Sequence, residues 1–498
     1  MTVASASPPL ERLKLRLAEI EDLRRVELLL DWDQHVFMPR AGAAARAEVQ
    51  GTLTRLAHEL LVADAVGELL DELEPLEREL SRDSVDGALL RVARRDWNRA
   101  RRVPAELIGE LSRTRGVAVA AWREARARAD FSLFAPHLER QLELKREYAA
   151  CFPEVATPYD ALLEDYEQGM TTARVAEVFA ELRATLVPLV AELGARPVDE
   201  AALRGPFSVE QQRVACARIV DAFGGAESWR LDETVHPFAS SPGVGDVRLT
   251  TKFRTSEPTA LFSTMHEFGH GLYEAGVDPQ LARTPLGTGT SAAMHESQSR
   301  TWENLVGRSE GFWRWFYPIL QPLFPGALGD VDRETFVRAA NAVRPGLIRV
   351  DADEVTYGLH IIMRFELEQA LLAGEVAARD APEAWNGRMR EDLGVDVPDD
   401  ANGALQDIHW SAGYFGYFPT YQLGNVLAVQ IWRRAEEELG DLDAQFARGE
   451  FEPLQEWLRE HVYRFGRTYP PQELLERVTG STLDPAPYLD YLRTKFSP

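Results

Sequence analysis

Cysteine is almost missing from this chain: Cys151 and Cys216 are its only two in 498 residues. Two thiols cannot build a disulfide framework or a metal site of their own. Both sit in apolar, helical-looking surroundings, the pattern of buried thiols in a reducing compartment. Histidine is scarce as well, ten in all, so two histidines at ligand spacing carry weight. No apolar run approaches the roughly 20 residues that a membrane span needs. The opening MTVASASPPLERLKLR also lacks the apolar stretch of a secretory signal. Basic residues are outnumbered, 55 against 79 acidic, for a formal charge of −24. Such a surface repels nucleic acid and anionic membranes. These absences together describe a cytoplasmic protein with no nucleic-acid or membrane partner. No internal repeat or low-complexity linker divides the chain, so the expectation is one domain over residues 1–498.

Strand signals are also sparse. Leu10, Leu13, Leu17, Ile20, Leu23 and Leu28 recur at helical spacing with Glu and Arg on the other face. The stretches 44–82 and 105–150 share that character. Thr172 is placed to cap a helix ending near Leu193, and Ser208 with Gln211 forms a capping box for another ending near Gly224. The first 225 residues read as helical. Between Gly224 and Thr255 the composition turns to Pro, Gly and Ser, followed by the β-branched run Val247–Thr251. One or two short strands, as a hairpin or small sheet, are expected there. Ser256 is the expected N-cap of the helix that follows, which runs to Gly276. Helical patterns resume past the 283–290 loop, at 333–343, 353–375, 382–393 and 422–439, with two short helices in the tail from Pro470. The fold class is mainly α.

What the chain does contain is HEFGH, His266 to His270. Residues four apart share a helix face, so both imidazoles can meet one ion while Glu267 reaches a water beside it. This is the HExxH pattern of a zinc hydrolase, two ligands and a general base. A third ligand is required. The histidine that would stand six residues past the second is Gly276, which excludes the three-histidine class. A carboxylate on the next helix is the other solution. Glu296 in MHESQSRTWEN leads on helix position, with Glu303 and His295 as rivals. Two core histidines on an ordinary helix are the bland alternative, but they would leave Glu267 buried without a role. The other His-Glu pair, His58-Glu59, has Val62 where a second histidine is needed and reads as a surface helix.

Six ordered motifs surround this helix: HPF (His236–Phe238), DVRLT (Asp246–Thr250), HEFGH, HESQ (His295–Gln298), IRVDADE (Ile348–Glu354) and GALQDIHW (Gly403–Trp410). Their order and spacing resemble the carboxypeptidase Taq family of thermostable metallocarboxypeptidases, from WDQ (Trp32–Gln34) to the tail. The resemblance implies a saddle-shaped helical metallopeptidase with two lobes around a deep central groove. It implies a homodimer that removes single residues from peptide C-termini with broad side-chain preference. It also carries over His266, His270 and Glu296 as metal ligands and Glu267 as the catalytic carboxylate. Ligand type favours zinc, one ion per chain, although two histidines and a glutamate also accept cobalt or manganese.

Other roles are assigned by chemistry. The oxyanion needs donors besides the metal. Candidates are His409, Tyr414 and Tyr417, with Tyr421 beside the substrate, although aromatics at this density also suit a groove wall. A free C-terminal carboxylate calls for arginine. Arg349 is the first choice and Arg248 the second, unless Asp353 or Asp246 holds them for structure. His236 and His360 are expected along the groove or in the core, and Asp353 or Asp407 could orient a histidine. Two alternatives remain: an oligo-endopeptidase or dipeptidyl-carboxypeptidase on the same scaffold, and a peptide-binding protein with a structural metal.

Overall fold

Helices form where the apolar spacing places them, and they end where the backbone changes hand or a side chain captures a free amide. The structure is a computed structural model that describes residues 8–196, 200–225, 229–243 and 245–496. The polar lead of residues 1–7 lies outside them. The first helix, α1 (Pro8–Val36), buries Leu10, Leu13, Leu17 and Ile20 of the expected stripe, while Leu23 is half-buried and Leu28 exposed. It pairs with α2 (Ala43–Val62), and residues 64–102 supply further helices to the same layer. Their apolar faces meet in a core of their own with Val277, Leu281 and Leu286. Each fully buried leucine there contributes about 1.5–3 kcal/mol. The 105–150 stretch divides into α3 (Ala105–Arg128) and α4 (Ala135–Ala150), because Ala129 turns left-handed at φ 50° and ends α3.

Some caps differ from expectation. Thr171, not Thr172, caps α5 (Thr172–Gly194) by accepting the Arg174 N–H. The Thr172 hydroxyl goes instead to Asp160 at 2.6 Å. Ser208 accepts the Gln211 N–H at the start of the helix Val209–Ala222, the N-cap half of the expected box. Cys216 is buried in that helix, whereas Cys151 is only half-buried.

Three short strands follow rather than one or two. They are β1 (Arg230–Glu233), β2 (Ala239–Gly243) and β3 (Asp246–Thr251), in sheet order β1-β3-β2. The pair β2–β3 is the antiparallel hairpin, while β1 adds to β3 in parallel. The HEFGH helix, α6, spans Thr259–Gly276. It starts after Pro258, because proline holds the preceding Glu257 out of the helical region and so disqualifies Ser256 as a cap. The Ser256 carbonyl is taken by the Gly205 N–H. A Cβ on Gly271 would stand 2.8 Å from Val247 Cγ1, so the missing side chain lets β3 lie directly on α6.

The helix α7 (Ala292–Arg300) runs between α6 and α9 (Phe418–Leu439), and α8 (Tyr357–Ala373) flanks α9. Here α8 starts four residues past Asp353, whose carboxylate captures the Val355 and Thr356 N–H groups in a turn. Most of the chain, from Ala118 to Leu492, shares one large core around these helices. The tail forms two helices, Pro471–Thr479 and Ala486–Phe496. Among the described residues, no helix is long and apolar enough to cross a membrane.

Candidate metal centre and active site

One turn of α6 aims His266 and His270 at the same point, and α7 brings Glu296 to meet them. Each histidine Nε2 stands 3.6 Å from Glu296 Oε2. The three ligand atoms lie within 4.8 Å of one another. Ligands about 2.0–2.2 Å from a tetrahedral ion are roughly 3.3–3.6 Å apart, so the donor set fits a metal such as zinc.

The surrounding groups settle how these side chains present themselves. His266 Nδ1 pairs with Glu303 Oε2 at 2.8 Å. A carboxylate only accepts, so the proton sits on Nδ1 and the Nε2 lone pair faces Glu296. On the other side, His295 Nε2 donates to Glu274 Oε1 at 2.7 Å, and His295 Nδ1 lies 3.3 Å from His270 Nδ1. With the Nε2 proton given to Glu274, His295 Nδ1 can accept from His270 Nδ1, which leaves His270 Nε2 free as well. The two rivals for third ligand, Glu303 and His295, thus lie one layer behind the histidines and orient them. Glu296 is divided between its neighbours: Oε1 accepts from Arg300 Nε at 2.7 Å, and Oε2 from the Ser299 hydroxyl at 3.1 Å. Burial alone would raise this carboxyl, but Arg300 and His266 outweigh it and hold it well below the usual range. After Arg300 the helix widens into one π-helical turn, Thr301–Val306, which carries Glu303.

Glu267 is almost fully buried and lines the same cavity, of about 460 Å³, as the three ligands. Burial pushes its carboxyl up to about 7. Pro237 and Phe238, beside β2, form one wall, and Tyr417 and Tyr421 form another. His409 Nε2 is 3.1 Å from the Tyr421 hydroxyl, and its ring stacks on Phe418 at 4.3 Å. Burial lowers His409 to about 3, so it is a neutral imidazole. Tyr414 stands behind Tyr417, ring centroids 6.1 Å apart, and accepts from Arg115 at 2.9 Å.

The remaining predicted residues divide by distance from this cavity. Arg349 is buried 5.0 Å from the Tyr421 ring centroid, close behind the wall. Its Nε and Nη2 donate to Asp407 Oδ1 at 3.0 and 2.8 Å, and its Nη1 to the Tyr357 hydroxyl. Asp407 also takes Arg364, and the two guanidiniums overcome the cost of burial to hold it far below its ordinary range. Arg349 therefore pairs with Asp407, while Asp353 serves the turn before α8. Arg248 forms two bonds to Asp246, at 2.8 and 2.9 Å, and lies 4.2 Å over the Trp32 ring, pinning the sheet to α1. His236 is exposed, next to the cavity wall at Pro237. His360 is fully buried and contributes nothing to the cavity lining.

Sequence reasoning missed Arg300, Glu274 and Tyr357. Arg300 had a readable signal, its position four residues after Glu296 on one helix face. Glu274 had the same signal, four residues after His270 on the face of α6 that carries both histidines, whereas Tyr357 had none, since its partners come from other elements.

Comparison with known proteins identifies the family and the fold. The family model described as carboxypeptidase Taq (M32) metallopeptidase matches residues 12–496. Thermostable carboxypeptidase 1 of Thermus thermophilus is 43% identical over 485 residues, 94% of each chain. Carboxypeptidase 1 of Bacillus subtilis is 37% identical, across 97% of this chain and 96% of its own. Among solved structures, the M32 carboxypeptidase of Deinococcus radiodurans matches with a TM-score of 0.94 at 44% identity, covering 98% of this chain and 99% of that one.

Proposed function

This chain belongs to the carboxypeptidase Taq (M32) metallopeptidases, and on that premise we propose a zinc enzyme that releases single amino acids from peptide C-termini. As a carboxypeptidase it is a peptide hydrolase. The finer reading is broad side-chain preference on short or unstructured peptides. One observation carries the metal-assisted hydrolysis in this reading: a buried carboxylate, Glu267, shares a cavity with the His266, His270 and Glu296 donor set. A purely structural metal site has no use for that carboxylate.

In this reading His266, His270 and Glu296 hold the zinc, with cobalt or manganese as substitutes. When bound, the ion supplies Lewis acidity, polarising the scissile carbonyl and easing deprotonation of water. Glu267 takes the proton from the attacking water and delivers it to the leaving amine. Tyr417 donates to the developing oxyanion, with His409 and Tyr414 behind it, and Tyr421 lies along the substrate. Arg349 is our assignment for the substrate carboxylate. Both arginines are paired with a carboxylate, Arg349 with Asp407 and Arg248 with Asp246. Arg349 also lies against the cavity residue Tyr421, whereas Arg248 lies over Trp32, and that contact supports the assignment. His236 would meet the peptide only at the rim. A single catalytic domain, a homodimer and a cytoplasmic setting complete the reading, and sedimentation of the purified protein tests the dimer.

Matched peptides with free and amidated C-termini test the reaction. The free acid should be shortened one residue at a time and the amide should resist, with product masses read directly. Equal rates would return the oligo-endopeptidase reading, and dipeptide products the dipeptidyl-carboxypeptidase one. Glu267→Gln should keep fold and metal content yet lose turnover by orders of magnitude. Near-normal activity in that variant would remove Glu267 from the mechanism.

A further inference from the structure

One buried carboxylate outside the metal centre grips the segment that carries His409 and the cavity tyrosines. Glu368 is fully buried on α8. Its Oε1 accepts from Trp410 Nε1 at 3.1 Å. Its Oε2 accepts the Gly416 N–H at 3.0 Å and the Tyr159 hydroxyl at 2.7 Å. Trp410 directly follows His409, and Gly416 directly precedes Tyr417. The two oxygens therefore hold both ends of the turn that presents these groups.

Gly416 adopts φ 85°, and a Cβ there would stand 2.8 Å from Leu162 C and 2.9 Å from Leu163 N. The turn is thus pressed against the helix Pro158–Leu163, which also sends Tyr159 to Glu368. Two other anchors, Trp122 to the Leu405 carbonyl and Gln141 to the Ser411 carbonyl, hold different points of the segment. All three donors to Glu368 are neutral, and burial pushes its carboxyl up to about 7. An apolar side chain would avoid this desolvation cost but strand three buried donors, so Glu368 satisfies the fold as well as gripping both ends of the turn.

We infer that Glu368 is a positioning residue that sets His409 and Tyr417 against the reacting carbonyl by bonding the residues next to them. This rests on the proposed reading that His409 and Tyr417 serve the substrate. It predicts an effect on kcat, because a misplacement of about 1 Å can cost around a hundredfold in rate.

Glu368→Gln is the direct test. Three donors converge on two oxygens, and an amide turns one of those oxygens into a donor. The variant should bind metal fully, keep KM within a few-fold and lose at least tenfold in kcat. Tyr159→Phe removes a donor from the same carboxylate but leaves the grips on Trp410 and Gly416. It should lower thermal stability while keeping kcat within about twofold. Trp410→Phe removes the Oε1 donor and should lower kcat several-fold, which decides the matter if Glu368→Gln does not fold. Normal kcat in Glu368→Gln, or equal kcat in Tyr159→Phe and Trp410→Phe, overturns the inference. His409→Gln and Tyr417→Phe test the underlying reading separately. If both are silent, the reading and the inference fall together. If they lose activity and Glu368→Gln does not, only the inference fails.

Discussion

Glu303 shows how much a metal centre depends on a residue that never needs to touch the ion. Its carboxylate fixes the His266 tautomer through Nδ1 at 2.8 Å and also accepts from Arg300 at 3.2 Å. Replacing it with glutamine keeps an acceptor but removes the charge that favours a firm Nδ1–H. Glu303→Gln should therefore weaken metal binding about tenfold to a hundredfold, measured by competition with a chelator. Unchanged affinity would mean that packing alone orients the ring. Residues of this kind were half-legible in the sequence. Glu296, Arg300 and Glu303 share a helix face by their spacing, but only contact with α6 decides which carboxylate meets the histidines.

At the scale of elements, the metal centre depends on two close helix crossings. A Cβ on Gly269 of α6 would lie 2.4 Å from the Gln298 carbonyl oxygen, and one on Gly424 of α9 would lie 2.6 Å from Glu296 Cβ and Cγ. Both glycines let neighbouring helices reach α7. Gly424→Ala must therefore displace Glu296 or separate the helices, at about 1–3 kcal/mol, and should lower both unfolding midpoint and metal content. Gly387→Ala is the control. It lies in the helix Ala381–Leu393 with open space around it, and alanine there should stabilise by up to about 1 kcal/mol. A Gly424→Ala enzyme with full metal loading would refute the crossing argument. The helices themselves were readable from periodicity, because burial of one face imposes the 3.6-residue repeat. The third strand was not, since β1 pairs in parallel across sequence, whereas the start of α6 was legible in Pro258, which the expected Ser256 cap left out of account.

The whole molecule places its charges against burial, and Glu167 makes that measurable. It is fully buried, and its carboxylate meets the start of α7, where Oε2 accepts the Ala293 N–H and the Ser291 hydroxyl lies beside it. Burial, with Glu164 nearby, pushes its carboxyl up from 4.5 to about 7. A raised folded pKa means that the folded state keeps a proton that the unfolded chain releases between those values. Its contribution is therefore favourable at low pH and is lost as pH rises through the window. Glu167→Gln mimics the protonated form at every pH. The stability gap should widen in favour of the variant from pH 5 to pH 8, to the order of 3 kcal/mol, read as urea midpoints at each pH. A gap that does not change with pH would show that Glu167 stays ionised in the fold.

By itself the sequence determined the helical class, the α6 and α7 pair, the two histidines with the candidates for a third ligand on their motifs, and the family. Each of these rests on spacing along one element or on ordered local motifs, which a linear chain records directly. Tertiary structure decided the partners: Glu303 and His295 behind the histidines, Arg349 against Asp407, His360 in the core and Glu368 across the His409–Tyr417 turn. Those pairings join residues tens of positions apart. Their geometry follows from how helices cross and which side chains lose water, and no local pattern carries that information.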